Sequence, residues 1–131
     1  MTNMSNWFLR LAVLYLIAGV GLGLYMAASN DHSMRPVHAH LNLLGWVTLA
    51  LFGLFYRFVP AAAGTLLAKL QFWIYVPAQF VQMLLLALFF RGVTAVEPAL
   101  GAVSMVVGAA IVLFAIVVWR HTSAPAPATA Q

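Results

Sequence analysis

The hydrophobic and polar positions of the chain form long blocks, with four continuous apolar stretches separated by short polar segments. The stretches cover approximately residues 7–29, 37–59, 70–90 and 98–119. Each is close to the ~20 residues that an α-helix needs to cross about 30 Å of hydrocarbon. The stretches are continuously apolar, whereas the strands of a membrane barrel alternate apolar and polar side chains. The pattern therefore predicts an all-α integral membrane protein with four transmembrane helices.

The composition agrees with this fold class. Hydrophobic residues make up 65% of the chain and charged residues only 6%, whereas about half of a soluble domain is apolar. Cysteine is absent, which excludes disulfides, thiolate metal sites and the C-x-x-C-H attachment of a c-type haem. We expect one transmembrane domain over residues 1–121, followed by a disordered Ala/Pro-rich tail over residues 122–131.

The net charge of +4 arises from basic residues at the ends of the apolar stretches, which form no patch for nucleic acid. Four crossings place four basic residues on one side and two on the other: Arg10, Arg57, Lys69 and Arg120 against Arg35 and Arg91. Basic residues are enriched on the cytoplasmic side. We therefore expect a bacterial inner-membrane protein with both termini in the cytoplasm and the start of the second helix near the periplasm.

Three sets of residues at helical spacing predict contacts between helices. They are Gly19 with Gly23, Gly101 with Ser104 and Gly108, and Tyr75 with Gln79 and Gln82. Small residues let another helix approach closely. Glutamine facing lipid is unfavourable, so the Tyr-Gln-Gln stripe should point into protein. It would either form hydrogen bonds between helices or line a cofactor or proton route.

The most informative stretch is "MRPVHAHLNLLGW" at residues 34–46, which puts His38 and His40 at the head of the second helix. Histidine is the commonest transition-metal and haem ligand. Residues two apart in an α-helix point in nearly opposite directions, because each turns by about 100°. The pair therefore cannot chelate one metal from a regular helix, and the spacing favours two separate sites.

The two faces of this helix differ in character. His38 shares a face with Asn42 and then with two glycines, Gly45 and Gly53, against which a porphyrin or a second helix could lie. On the other face, His40 is followed by an apolar wall of Leu43, Leu44 and Val47. That wall suits a haem edge and ordinary packing equally well.

"RPVHAHLNLLGW" resembles the histidine-bearing helices of the haem-copper oxidase subunit I superfamily, which includes cytochrome oxidases and nitric oxide reductases. "RPVH" is similar to the family's low-spin haem-ligand motif, and "HAH" to its H-x-H motif, whose two histidines ligate different haems. The family's subunit has twelve helices in three four-helix arcs, and this chain resembles one arc. It has no second histidine helix and no copper-site motif.

The resemblance implies a non-covalently bound b-type haem on the periplasmic side, ligated by His38 of one protomer and His40 of another in a homotrimer or a dimer. Two axial imidazoles leave no open iron position, which implies an electron carrier or sensor. Arg35 would pair with a haem propionate, and Asn42 belongs to the same expected site. Oxygen or nitric oxide reduction would follow from the resemblance alone, and the chain does not identify an electron donor.

Three alternatives remain open from the residues. Asp31, His32, Met34, His38 and His40 could together bind copper or another metal, because His and Met are copper ligands. The chain could instead be a non-redox assembly factor or regulator whose histidines tune packing or respond to pH. The imidazoles could simply hydrogen-bond at the membrane interface, with Arg35 as an interfacial anchor.

Overall fold

The computed structural model describes residues 2–123, and it is built from helices alone over that range. Four helical segments are long and apolar enough to cross a membrane, as predicted. The helices, in chain order, are α1 (Thr2–Ser29), α2 (Arg35–His40), a π-helical segment (Leu41–Val47), α3 (Thr48–Phe58), α4 (Pro60–Ala63), α5 (Leu66–Phe90), a short 3₁₀ helix (Thr94–Val96) and α6 (Glu97–Thr122). α2, the π segment and α3 are continuous and form the second span, Arg35–Phe58.

Local sequence explains where these helices begin and end. α1 ends before Asn30, which adopts the left-handed conformation with φ of 55°, a conformation that asparagine tolerates better than most residues. Thr65 caps α5, because its side chain accepts a hydrogen bond from the backbone N–H of Ala68 at 3.2 Å. The turn after α5 contains Gly92 at φ of 94°, where a side chain would be strained. Pro77 lies inside α5, which remains one helix of 25 residues.

α1 lies along the second span, and the predicted small-residue face of α1 forms this contact. A Cβ atom built on Gly19 would lie 2.7 Å from the side chain of Asn42, and one built on Gly23 would lie 2.9 Å from His38. The glycines thus allow the close helix approach that their spacing predicts.

α5 and α6 pack together as the second pair, and an aromatic cluster joins the pairs. Phe52 is central to this cluster, with its ring centroid 5.5 Å from that of Phe8 in α1, 5.0 Å from Tyr75 in α5 and 4.3 Å from Phe114 in α6. In the apolar 18-residue window of each span, only 17–28% of the residues are buried. The bundle therefore presents most of its side chains outward, to lipid or to other proteins.

The expectation for the fourth span is wrong in part. Ser104 packs inward and accepts a hydrogen bond from Gln82 at 2.8 Å. Gly101 and Gly108 are exposed instead, and a Cβ atom at either would meet nothing within 4 Å. Thr122, predicted as the first residue of the tail, is still helical, and residues 124–131 lie outside the described part of the chain.

Candidate functional site

The histidine-bearing turn is α2, whose start is fixed by the preceding loop. Pro36 stands in its first turn, where the missing N–H leaves no partner unsatisfied. The backbone N–H of His38 donates to the carbonyl of Met34 at 3.0 Å, and that of Arg35 donates to the carbonyl of His32 at 3.3 Å. These bonds set His38 and His40 on the first complete turn of the second span.

His38 is held between the second span and α1. Its Nδ1–H donates to the carbonyl oxygen of Gly19 at 2.8 Å. The Asn42 side-chain amide donates to the backbone carbonyl of His38, also at 2.8 Å, and the ring lies against Gly23. Because a carbonyl oxygen only accepts, the contact with Gly19 fixes the proton of the neutral ring on Nδ1 and leaves Nε2 with its lone pair.

His40 has the same tautomer from a different partner. Its Nδ1–H donates to the carbonyl of Pro36, one turn earlier in α2, at 2.8 Å. Within residues 2–123, no hydrogen bond reaches Nε2 of either His38 or His40. Both rings are half-buried. Each histidine therefore presents an Nε2 lone pair while a backbone carbonyl orients its ring, which is the usual arrangement of a metal-ligating histidine.

The two rings point in different directions, as the helical spacing predicts. His38 is directed at α1, whereas the bond of His40 remains within its own helix. Both residues precede the π segment, so the α-helical angle of about 200° between them applies. One α2 turn therefore directs two imidazoles to two separate places.

The π segment is a feature that sequence reasoning missed. Thr48 donates its hydroxyl to the carbonyl of Leu43 at 2.7 Å, and Tyr75 donates its hydroxyl to the carbonyl of Leu44 at 2.8 Å. A π-helix leaves the ordinary i→i+4 partners unmatched and is often found at functional sites. The hydroxyls stabilise this winding, which lies directly after the histidines. A threonine inside an apolar span was its only visible signal.

Below His38, the glycine face of the second span packs against α1, so a porphyrin cannot lie against Gly45 or Gly53. Gly45 and Gly53 are both buried. A Cβ at Gly45 would lie 2.6 Å from the ring of Tyr15, and one at Gly53 would lie 2.8 Å from Leu9. On the His40 side, Leu43 is 62% exposed and Val47 is 41% exposed, while Leu44 is half-buried. The exposed apolar surface therefore accompanies His40.

The loop between α1 and α2 does not bring together the five residues of the alternative metal site. No group of three or more His, Asp or Glu side chains lies close enough to hold a metal ion among residues 2–123. Met34 is 6% exposed and packs with Met26 and Met83 in an apolar cluster. His32 is exposed, and its Nδ1–H donates to the carbonyl of Asn30 at 3.1 Å.

Asp31 and Arg35 remain at the surface of the same loop. The backbone N–H of Ser33 donates to the Asp31 carboxylate at 3.0 Å, and this bond holds the pKa of Asp31 below its usual value. Arg35 is exposed. Its side chain is thus available to an anionic group at the membrane interface near the histidine turn.

The predicted stripe on α5 is buried as expected. Tyr75 and Gln79 are 0% exposed and Gln82 is 6% exposed. Tyr75 and Gln82 form the hydrogen bonds between helices that the spacing suggested. Neither atom of the Gln79 amide has a partner among the described residues.

A lateral groove of about 660 Å³ lies between α1 and α5, beside the histidine turn. Its lining is apolar and includes Tyr15, Val37, Leu41, Trp73 and Pro77. No histidine of the described chain lines it. The groove therefore offers shape and apolar surface without a histidine.

No known protein-family model, curated protein or solved structure matches the chain.

Proposed function

We propose that this chain is a small haem-binding membrane protein, resembling one arc of haem-copper oxidase subunit I, that carries electrons or senses redox state or a gas. The observation that supports it is that two imidazoles on one helical turn form the same kind of hydrogen bond. His38 and His40 each donate Nδ1–H to a backbone carbonyl at 2.8 Å and each keep a free Nε2 lone pair. Nε2 ligation with an oriented ring is what a b-type haem requires of an axial histidine.

The donor set fits a haem shared between protomers. The two Nε2 atoms belong to rings about 200° apart on one helix, so one chain cannot bring both to the same iron. Neighbouring protomers in a closed ring or a twofold dimer can present different faces to each other. His38 of one protomer and His40 of the next would then be the axial pair.

The remaining residues have roles that follow from where they lie. Asn42 and Gly19 hold the His38 backbone and ring. Leu43 and Val47 provide exposed apolar surface beside His40, and Arg35 is placed to pair with a propionate near the membrane surface. A bound haem would supply one-electron chemistry, since two axial imidazoles leave no open iron position.

The first test is a spectrum of the protein purified in mild detergent from haem-replete cells. We expect a Soret band and sharp bands in the reduced state, which His38→Ala and His40→Ala each abolish or shift. His121→Ala is the matched control, because His121 also donates Nδ1–H to a carbonyl four residues earlier, at 2.8 Å. A colourless wild-type protein, or one that contains copper instead, overturns the haem assignment.

The second test separates sharing between protomers from ligation within one chain. His38→Ala and His40→Ala chains are co-expressed in equal amounts. Random mixing leaves about one quarter of the shared sites with one intact His38 and one intact His40, in a dimer or in a trimer. Recovery of about that fraction of the wild-type haem supports sharing, whereas no recovery excludes it. Native mass spectrometry counts the subunits.

A further inference from the structure

The buried face of α5 carries a polar row that the proposed haem site does not use. The row comprises Gln71, Tyr75, Gln79 and Gln82, at intervals of four, four and three residues. Three of the four are 0% exposed and Gln82 is 6% exposed. At 1.5 Å per residue the row extends about 16 Å, roughly half of the hydrocarbon thickness.

The protein itself satisfies only part of this row. Tyr56 donates its hydroxyl to Gln71 Oε1 at 3.2 Å. Gln82 Nε2 donates to Ser104 Oγ at 2.8 Å, and Ser104 in turn donates to the carbonyl of Leu100. Four buried atoms have no partner among the described residues: Gln71 Nε2, Gln79 Nε2, Gln79 Oε1 and Gln82 Oε1.

Rotating the amides cannot remove this deficit. Exchanging N and O of Gln79 leaves both positions unpaired, because neither has a protein neighbour to bond. In the antiparallel register set by the Gln82–Ser104 bond, the α6 residue opposite Gln79 is Val107, which is buried and aliphatic. Buried polar groups in native proteins almost always have partners, and hydrocarbon supplies none.

We propose that the polar row binds internal water molecules within the bundle, at the unpaired atoms of Gln71, Gln79 and Gln82. Gln79 needs an acceptor for Nε2 and a donor for Oε1 at one place. An anion satisfies only the first and a cation only the second, whereas water satisfies both. Ordered water is the usual partner of otherwise unpaired buried groups. The hydroxyls of Tyr56 and Ser104 lie at the two ends.

The test is hydrogen–deuterium exchange of the Gln79 side-chain amide in the full-length protein, followed by infrared spectroscopy in lipid nanodiscs. Subtracting the spectrum of Gln79→Met isolates the Gln79 bands. Phe80→Met is the matched control, because Phe80 is 55% exposed and its replacement removes no amide. We expect the Gln79 NH₂ group to exchange within minutes in D₂O. Retention of its protons for hours overturns the proposal.

A second measurement covers the case in which Gln79→Met fails to fold. A high-resolution experimental map of the wild-type protein should show water within hydrogen-bonding distance of both Gln79 Nε2 and Gln79 Oε1. A map in which the amide contacts only protein atoms overturns the proposal. Neither result depends on whether the protein binds haem.

Discussion

Gly45→Ala should destabilise the bundle, because Gly45 lies in close contact with Tyr15 of α1. A Cβ at this position would lie 2.6 Å from Cγ and Cδ1 of Tyr15 and 2.8 Å from its Cβ. The Tyr15 Cβ is fixed to the α1 backbone, so turning the ring cannot relieve the contact and the helices must separate. Overpacking of this kind typically costs about 1–3 kcal/mol. Alanine also lowers the conformational entropy of the unfolded chain, which stabilises the folded protein by about 0.4–1 kcal/mol.

The expected net loss is about 1–2 kcal/mol in the free energy of unfolding. It can be measured by titrating the protein in mild detergent with sodium dodecyl sulfate and following helicity by circular dichroism. Gly108→Ala is the matched control, since a Cβ there meets nothing within 4 Å, and it should be neutral or stabilising by up to about 1 kcal/mol. Equal stability of the two variants would refute the packing of α1 on the π segment.

Three smaller changes test other contacts. Ser5→Ala removes a buried hydroxyl that donates to the carbonyl of Gly53 at 2.7 Å, and should destabilise by about 1 kcal/mol in the same titration. Thr65→Ala removes the α5 cap, should cost about 1 kcal/mol, and should speed amide exchange in the first turn. The pKa of Asp31, measured by NMR, should lie below its usual value, because the Ser33 N–H donates to the ionised carboxylate. This hydrogen bond should be present above the lowered pKa and should be lost as the pH falls below it.

Each of these has its own contrary result. Thr122→Ala removes an exposed hydroxyl bonded within one helix, and a loss for Ser5→Ala no larger than this control would mean that the bond across helices contributes nothing. Unchanged exchange in the first turn of α5 would contradict the role of the Thr65 cap. An ordinary midpoint for Asp31 would contradict the loop conformation before α2.

The number of spans was predictable because hydropathy reports directly on the length of each apolar block. The helix ends were less predictable. α1 begins at Thr2 and α5 at Leu66, before the predicted apolar blocks that start at residues 7 and 70. Helices continue through polar residues at the membrane surface as long as their backbone bonds can be made. Capping residues such as Thr65, which precedes α5, determine where a helix starts or stops, and hydropathy does not detect them.

The directions of the two histidine rings could be predicted from the sequence, because they depend on the helical angle. Hydrogen-bond partners on other helices could not. The divergence of His38 and His40 follows from 100° per residue. His38 Nδ1–H donates to the carbonyl of Gly19 on α1, and no local pattern indicates an acceptor on another helix. The acceptor for His40 is the carbonyl of Pro36, one turn earlier in the same helix. Glycine spacing likewise identified a face without its neighbour, so Gly19 and Gly108 looked alike although only Gly19 is covered.

The π segment has a consequence for how the second span tolerates changes in length. Its wider winding accommodates about one residue more than an α-helix of the same rise. Deleting one residue within Leu41–Val47 would convert the segment to α-helix. The histidine turn and Phe52 of the aromatic cluster would then keep their orientation relative to each other. The same deletion within α3 would rotate the two ends by about 100° relative to each other. The span thus contains a place where its length can change by one residue without turning the histidines.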